Sequence, residues 1–204
     1  ALMAPPKGCP HGKCTFCPGG PGSTFGTVPQ SYTGKEPSTL RAIRNNYDQY
    51  LIVMNRLEQY IVMGHSPEKA EVIIQGGTFP ALNKKFQEDY VKYIFKAMND
   101  FSDLFYTARD GTNKGETKEE NKGDKDFDLE KFKEFFELPG DVYGEGRKQR
   151  IHEKLLKLKN KCGEVDLGLD QVNLEEEQIR NESSRIKCVA LTIETLTSFH
   201  LAGV

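Results

Sequence analysis

The sequence has no apolar run long enough to cross a membrane and only a modest hydrophobic content. Hydrophobic residues make up 37% of its 204 residues, and charged residues make up 28%. A membrane-spanning helix needs about 20 consecutive apolar residues. Residues 1–7 also lack the basic and apolar segments of a secretory signal. We therefore expect a cytoplasmic protein without a membrane partner, in which a packed core covers only part of the chain.

The chain also lacks the basic excess that is typical of nucleic-acid-binding proteins. It has 28 Lys and Arg residues against 30 Asp and Glu residues, a formal net charge of −2. Residues 1–100 hold 11 basic and 8 acidic residues, whereas residues 101–204 hold 17 and 22. The charge balance of neither half predicts a nucleic-acid partner, so only a local basic patch could indicate one.

Cysteine is scarce, and its distribution argues against a disulfide scaffold. Three of the five cysteines, Cys9, Cys14 and Cys17, fall within nine residues, while Cys162 and Cys188 stand apart. A disulfide scaffold would spread its cysteines over the loops that it links. The triplet therefore indicates a metal site. Cys188 lies in an apolar segment, where we expect it to be buried as a small hydrophobic residue.

Hydrophobic periodicity in the first half predicts alternating helices and strands. A short strand is possible near Leu2, and a helix capped by Ser38 is predicted to run to Gly64. Residues 71–75 resemble a buried strand and lead into two glycines, after which Asn83 can cap a second helix. This order predicts an α/β fold, with a parallel sheet covered by helices.

The second half begins with a charged stretch, because residues 110–137 hold 16 charged residues in 28. We predict a solvated insertion there, helical in its 127–136 part, followed by a basic helix over 147–161. The nearly continuous apolar run over 186–193 predicts a strand buried on both faces. Two or three strands do not close a barrel, so we expect a truncated chain.

These patterns predict a division of the chain into three parts. The parts are an N-terminal section with the cysteine loop (1–109), a charged, partly helical insertion (110–182), and a further strand with a truncated end (183–204).

The spacing of the cysteine triplet predicts a particular kind of metal centre. Gly8 and Gly12 allow the loop to curl, so that Cys9, Cys14 and Cys17 can surround a small object. Iron–sulfur clusters are usually held by four thiolates. Three thiolates leave one iron of a 4Fe–4S cluster open to S-adenosylmethionine, whose sulfonium bond an electron from the cluster can break to form a 5′-deoxyadenosyl radical.

The alternative for this loop is a structural zinc site in which His11 completes a Cys3His ligand set. Zinc sites usually pair two short ligand-bearing turns, and His11 lies inside the cysteine loop itself. Taken together with the downstream Gly-Gly motif at 76–77, this spacing favours the cluster over zinc.

Two further candidates lie where predicted strands end. Gly76 and Gly77 follow the strand predicted over 71–75. Without side chains, their backbone groups can approach a ligand closely, although a plain tight turn explains the two glycines equally well. Glu194 ends the last strand and can bind a ribose hydroxyl or a cationic group, although most glutamates are simply solvated.

Four segments of the sequence carry a family resemblance. They are Met-Ala-Pro-Pro-Lys-Gly-Cys-Pro-His-Gly-Lys-Cys-Thr-Phe-Cys-Pro-Gly-Gly-Pro-Gly at 3–22, Gln-Ser-Tyr-Thr-Gly-Lys-Glu-Pro at 30–37, Gly-Gly-Thr-Phe-Pro at 76–80 and Leu-Thr-Ile-Glu-Thr at 191–195. In order and spacing they resemble the catalytic subunit of Elongator in its archaeal and bacterial form. The resemblance covers about residues 1–110 and 183–195. After Thr195 the family continues Arg-Pro-Asp, whereas this chain continues Leu-Thr-Ser-Phe-His.

The resemblance implies a radical S-adenosylmethionine domain built as a partial (βα) barrel, incomplete in this chain and followed in the full protein by an acetyltransferase-like domain. Members of the family modify the wobble uridine of tRNA. The adenosyl radical activates the methyl group of acetyl-CoA, and a carboxymethyl-type group is built at C5 of the base. The resemblance places the cluster on Cys9, Cys14 and Cys17. It places Gly76, Gly77 and Glu194 near S-adenosylmethionine.

The resemblance also implies partners. These are tRNA, acetyl-CoA bound through the absent C-terminal domain, and either Elongator-type subunits or a second copy of the chain. Candidate tRNA contacts are the basic residues Lys35, Arg41 and Arg44, and those of the predicted basic helix, Arg147, Lys148, Arg150, Lys154, Lys157 and Lys159. The alternative for the basic helix is a solvated face that balances the acidic insertion.

Two other functions remain compatible with the sequence. One is a radical S-adenosylmethionine enzyme that acts on a different substrate. The other is a zinc- or RNA-binding module without a reaction of its own.

Overall fold

The structure is a computed structural model that describes residues 1–10, 12–77, 79–106, 127–141, 144–160 and 173–195. Its elements are β1 (Leu2–Met3), α1 (Pro37–Arg44), α2 (Gln49–Val62), β2 (Lys69–Gln75), a 3₁₀ turn (Phe79–Ala81), α3 (Lys84–Phe105), α4 (Leu129–Phe136), α5 (Glu145–Asn160), α6 (Leu174–Ser183) and β3 (Lys187–Ile193). Within these ranges no helix has the length and apolar character that a membrane crossing requires.

The three strands form one parallel sheet in the order β1-β2-β3. Leu2 pairs with Ile74 of β2, and Ile74 pairs in turn with Ile193 of β3. All three strands therefore end on the same edge of the sheet. The predicted α/β class with a parallel sheet is confirmed, while closure into a partial barrel stays a prediction.

One face of the sheet packs against the helices. Val72 and Ile74 of β2 are buried in a core that also contains Tyr50 of α2 and Tyr90 of α3. The Tyr90 hydroxyl donates a hydrogen bond to the Met3 carbonyl at 3.2 Å, which attaches α3 to β1. The intervening residues of β2 point to the other, open face, so the covered face fixes the strand register.

The helix predicted from Ser38 to Gly64 is two helices. Asn46 and Tyr47 adopt positive φ angles of 54° and 56°, which ends α1, and the Asp48 side chain caps α2 through the Leu51 amide at 3.1 Å. Ser38 is not the cap; it lies inside α1, whose N-cap residue is Glu36. The apolar spacing of three and four residues continues across the break, so periodicity alone could not reveal it.

The described part of the predicted insertion packs on the core rather than extending into solvent. Phe132 and Phe136 of α4 are buried against Phe101 and Phe105 of α3. The helices predicted over 127–136 and 147–161 are confirmed as α4 and α5. The remainder of the charged stretch, 110–126, lies outside the described residues, and the three predicted domain boundaries stay predictions.

Helix α6 was not predicted, and it packs on α3 through buried polar contacts. The Asn99 amide of α3 donates to the Glu177 carboxylate at 2.7 Å and also accepts from Asn181 at 2.7 Å. Asn181 further accepts a hydrogen bond from the Cys188 amide at 2.8 Å, which links α6 to β3. These contacts join residues that are far apart in the sequence. The sequence of α6 is polar and has no apolar stripe, so its periodicity did not predict a helix that packs on the core.

The expectation that β3 is buried on both faces is wrong. Val189 and Ile193 are 53% and 38% exposed. The reason is topological, because β3 forms one edge of the three-stranded sheet. Cys188 is correspondingly only half-buried, and Cys162 lies outside the described residues.

Candidate cofactor site

The cysteine loop lies between β1 and α1 and turns twice within nine residues. The Gly12 amide donates to the Cys9 carbonyl at 3.1 Å, and the Cys17 amide donates to the Cys14 carbonyl at 3.0 Å. Gly12 has a φ angle of +86°, a conformation that favours glycine. The glycine and cysteine spacing of the sequence therefore does produce a tightly curled loop.

Cys17 is the best defined of the three cysteines. It is 8% exposed, the Gln30 amide nitrogen donates to its sulfur at 2.8 Å, and the Ser31 hydroxyl lies 3.8 Å from the sulfur. Burial acts to raise the pKa of the Cys17 thiol, but the hydrogen bonds of Ser31 and Gln30 outweigh burial and lower it. The thiolate form, which is the form that ligates metals, is thus favoured at this position.

Cys9 and Cys14 are half-buried in the same loop. Over the described ranges, no group of three or more His, Cys, Asp or Glu side chains is arranged to hold a metal ion. The structure therefore places the three cysteines on one short loop without converging their sulfur atoms, and the metal assignment stays a prediction. His11, the fourth ligand of the zinc alternative, lies outside the described residues.

The glycine turn at the end of β2 packs against Ala4 and Gln30, which lie on either side of this loop in the sequence. Gly76 and Gly77 have φ angles of +132° and +70°. A Cβ atom on Gly76 would lie 2.9 Å from that of Ala4, and one on Gly77 would lie 2.9 Å from the Gln30 carbonyl oxygen. Because Gln30 also donates to Cys17, the close approach that the glycines allow connects the turn to the cysteine loop.

Glu194 meets the same edge of the sheet from β3. Its amide donates to the Ile74 carbonyl at 2.9 Å, which continues the strand pairing. Its carboxylate accepts from the Tyr32 hydroxyl at 2.8 Å and from the Gln75 amide nitrogen at 2.9 Å. Burial, followed by this contact with Glu194, raises the pKa of Tyr32. The carboxylate is therefore held in one orientation, on both of its oxygens.

A second carboxylate organises the segment that carries Tyr32 and Lys35. Glu36 accepts hydrogen bonds from the Thr33 amide and hydroxyl, both at 2.8 Å, and from the Thr39 hydroxyl at 3.1 Å. Burial acts to raise the pKa of Glu36, but these hydrogen bonds lower it to about 2. The ionised carboxylate thus closes the turn that places Tyr32 at the site, while Lys35 is exposed.

The other two candidate tRNA contacts, Arg41 and Arg44, lie on α1 beside Arg56 of α2. The Arg41 Nε atom is buried and has no hydrogen-bond partner among the described residues. Burial, followed by the charge of Arg56, lowers the pKa of the Arg41 guanidinium. Arg56 lies over the Tyr60 ring, 4.3 Å from its centroid. Arg41, Arg44 and Arg56 form what we call the α1 arginine cluster.

The predicted basic helix, α5, has a different environment. Several of its basic residues form ion pairs, namely Arg147 with Glu58 at 2.7 Å, Arg150 with Glu137 at 2.7 Å, Lys154 with Glu137 at 3.0 Å and Lys159 with Asp48 at 2.5 Å. These contacts attach α5 to α2 and to the end of α4. They favour a structural role for this helix over a tRNA contact.

Several residues that shape the site were not singled out from the sequence. Tyr32 and Gln30 lie in the 30–37 segment that carries the resemblance, and Gln75 directly precedes the glycine turn, so their positions offered a signal. Nothing in the sequence pointed to Arg56, because its proximity to Arg41 depends on how α1 and α2 pack.

About half of the chain is similar in sequence to known proteins. No family model matches the chain. Over 99 residues it is 54% identical to the tRNA uridine(34) acetyltransferase of Methanocaldococcus jannaschii, a match that covers 48% of this chain and 18% of that protein. Over 107 residues it is 43% identical to Elongator complex protein 3 of Saccharomyces cerevisiae, covering 50% of this chain and 19% of that protein.

Among solved structures, the chain is similar to the archaeal Methanocaldococcus infernus Elp3 with an N-terminal deletion, at 25% identity and a TM-score of 0.40. That match covers 76% of this chain and 20% of the other. The chain thus spans about a fifth of the length of the curated relatives it matches. The resemblance indicated by its sequence is confirmed: about half of this chain is homologous to the tRNA uridine(34) acetyltransferases and to Elongator complex protein 3.

Proposed function

We propose that this chain carries the cluster-binding and S-adenosylmethionine-binding part of a radical enzyme of tRNA wobble-uridine modification. One observation supports the proposal most strongly. The cysteine loop, the Gly76–Gly77 turn and Glu194 meet at the carboxyl edge of one parallel sheet, through contacts of Gln30 and Tyr32. Ligand sites of α/β proteins form at this edge.

Cys9, Cys14 and Cys17 would hold a 4Fe–4S cluster through their thiolates. The environment of Cys17 suits this role, because the Gln30 and Ser31 donors favour the thiolate. When bound, the cluster supplies the electron that cleaves S-adenosylmethionine. The protein's own contribution is to orient the ligand and to keep the loop closed around it.

Gly76, Gly77 and Glu194 would hold S-adenosylmethionine beside the loop. The glycines leave backbone groups without a covering side chain, which suits the amino group of the ligand. Tyr32 and Gln75 fix the Glu194 carboxylate, whose remaining lone pairs can accept from a ribose hydroxyl or an ammonium group. A carboxylate oriented in advance loses less entropy when the ligand binds.

The substrate would be tRNA, which the names of the relatives support. The α1 arginine cluster and Lys35 would contact its phosphates, because Arg41 is half-buried without an acidic partner in the described ranges. Acetyl-CoA would bind in the full-length protein, through the acetyltransferase-like domain. The product would carry a carboxymethyl-type group at C5 of the wobble uridine.

Anaerobic reconstitution of the full chain with iron and sulfide tests the cluster. We expect 4Fe–4S absorption in the wild type and its loss in Cys14→Ser. The matched control is Cys188→Ser, which changes a half-buried cysteine of β3 away from the loop and should keep the cluster. A 4Fe–4S spectrum retained in Cys14→Ser, or a colourless wild type with stoichiometric zinc, would contradict the ligand assignment.

The substrate is tested separately with the full-length protein. Release of 5′-deoxyadenosine on reduction would establish the radical chemistry. Adding tRNA and acetyl-CoA should then give a modified uridine. Release of 5′-deoxyadenosine without any tRNA modification would favour a radical enzyme with another substrate.

A further inference from the structure

The side-chain amide of Gln75 lies at the end of β2, immediately before the glycine turn. Its nitrogen donates a hydrogen bond to Glu194 Oε2 at 2.9 Å. Its oxygen, Oε1, is buried and has no hydrogen-bond partner within the described part of the chain. Within the described residues, the amide nitrogen therefore has a hydrogen-bond partner, whereas the amide oxygen has none.

The orientation of this amide follows from chemistry. An ionised carboxylate can only accept hydrogen bonds, so the Gln75 nitrogen must face Glu194 and Oε1 must face away from it. Tyr32 holds the other oxygen of Glu194 at 2.8 Å, which prevents the carboxylate from turning. Rotating the amide by half a turn would place Oε1 against the Glu194 carboxylate, and both are acceptors. Rotation therefore does not give Oε1 a hydrogen-bond donor.

No donor of the described residues forms a hydrogen bond to Oε1. Buried polar groups in folded proteins nearly always have a partner, because an unsatisfied acceptor loses its hydration without compensation. An acceptor left unsatisfied beside a ligand site indicates a donor supplied by the ligand.

We infer that Gln75 Oε1 accepts a hydrogen bond from an amino or hydroxyl group of S-adenosylmethionine, with Tyr32 acting as a positioning residue through Glu194. This inference rests on the proposed function, and it deepens that function by assigning a contact residue. Gln75 Oε1 and the Glu194 carboxylate then form adjacent acceptors at one edge of the sheet. Two adjacent acceptors favour a ligand that carries two neighbouring hydrogen-bond donors.

Equilibrium binding of S-adenosylmethionine to the reconstituted full chain tests the inference. Gln75→Met keeps the length of the side chain but removes the acceptor, and it should weaken binding about tenfold, the effect of one hydrogen bond to a ligand. Tyr32→Phe leaves Oε1 in place and should weaken binding by a smaller factor. The matched control is Gln87→Met, since the side-chain amide of Gln87 donates to the Pro80 and Leu82 carbonyls and this variant should bind like the wild type.

A second readout separates a binding role from a structural one. Without ligand, the thermal unfolding midpoint of Gln75→Met should equal or exceed that of Tyr32→Phe, because Gln75→Met also removes the unsatisfied acceptor. If Gln75→Met does not fold, Gln75→Asn gives the same test, since it withdraws the amide by one methylene. Repeating the titration with S-adenosylhomocysteine and its 2′-deoxy and 3′-deoxy forms identifies the donor. The penalty of the variant should disappear with the analogue that lacks the donor hydroxyl, and it should persist with all three ligands if the amino group is the donor.

Two outcomes would overturn the inference, and only one of them would also overturn the proposed function. If the wild type binds S-adenosylmethionine and the Gln75 variant binds it equally well, the inference is wrong while the proposed function stands. If the wild type forms the cluster but does not bind S-adenosylmethionine, both are wrong.

Discussion

Two basic surfaces of this molecule, the α1 arginine cluster and helix α5, have different electrostatic surroundings. The α1 arginine cluster contains Arg41, which is half-buried without an ion pair in the described ranges. Helix α5 contains more basic residues, but Arg147, Arg150 and Lys154 are paired with carboxylates. The number of positive charges would favour α5 as the tRNA contact, whereas their pairing favours α1.

The difference matters because pairing decides whether a positive charge is available to a ligand. A guanidinium that already binds a carboxylate must give up that contact before it can bind a phosphate. A half-buried guanidinium without a partner has lost part of its hydration and gains the most from an incoming anion. These surroundings are the reason that we propose the α1 arginine cluster as the phosphate contact, despite its smaller total charge.

The largest expected effect is on stability, at the buried ion pair that attaches α5 to α2. Glu58→Gln leaves the Arg147 charge without its partner at a position where the two side chains are 9% and 14% exposed. We expect the free energy of unfolding to fall by about 3 kcal/mol, measured by urea denaturation.

The control for this change is the double variant Glu58→Met with Arg147→Met. Replacing both partners removes the uncompensated charge, so most of the stability should return. A loss below about 1 kcal/mol in the single variant would make this pair equivalent to a solvent-exposed ion pair.

The next effect is on tRNA affinity, at the α1 arginine cluster. Arg41→Gln combined with Arg56→Gln should weaken tRNA binding about tenfold and reduce the slope of log K against log salt by roughly 1 for each arginine. The unfolding free energy should fall by less than in Glu58→Gln, because Arg41 forms no ion pair within the described ranges and the variant removes only the contacts of Arg56 around Tyr60. Filter binding over a range of salt concentrations measures the tRNA affinity and the salt slope, and urea denaturation measures the unfolding free energy.

The matched comparison is the same number of neutralised charges on α5. Arg150→Gln with Lys154→Gln should change tRNA affinity by less than about twofold, since both side chains neutralise Glu137 rather than an external anion. An equal loss of affinity on α5 and α1 would show that total charge, rather than free charge, determines binding.

The smallest effect is the acid dependence of stability at Glu137. Hydrogen bonds from Arg150 and Lys154 lower its pKa from 4.5 to about 2. Because the folded-state pKa is lowered, these contacts stabilise the fold above pH 4.5, and their contribution is lost as the pH falls towards 2. The unfolding midpoints of the wild type and Glu137→Gln should therefore converge between these pH values. Curves that stay parallel down to pH 2 would show that Glu137 is not coupled to α5.

Features that depend on neighbouring residues were predictable from the sequence. The strand ending at Gln75 precedes two glycines, and Asn83 caps α3 by accepting from the Lys85 amide at 2.9 Å, as predicted. The break between α1 and α2 was missed because Asn46 and Tyr47 turn the backbone without interrupting the apolar spacing. Helix α6 was missed because polar contacts with α3 stabilise it rather than an apolar stripe.

The candidate site also combines features that the sequence predicted with contacts that it could not predict. The positions of Gly76 and Glu194 at one edge followed from reading the end of each parallel strand. That Tyr32 and Gln75 share the Glu194 carboxylate could not be predicted, because Tyr32 is 162 residues away along the chain. The convergence of the three cysteine sulfurs around one cluster stays a prediction.

By itself the sequence determined the α/β class, the cysteine spacing and the location of the glycine turn, since each depends on residues within a few positions of one another. Only the tertiary structure decided which charges are paired and which acceptor lacks a donor. Arg147 and Glu58 are 89 residues apart, and no local pattern records such a pairing. Periodicity and turn propensity report the local backbone, whereas electrostatic pairing depends on which surfaces the folded chain brings together.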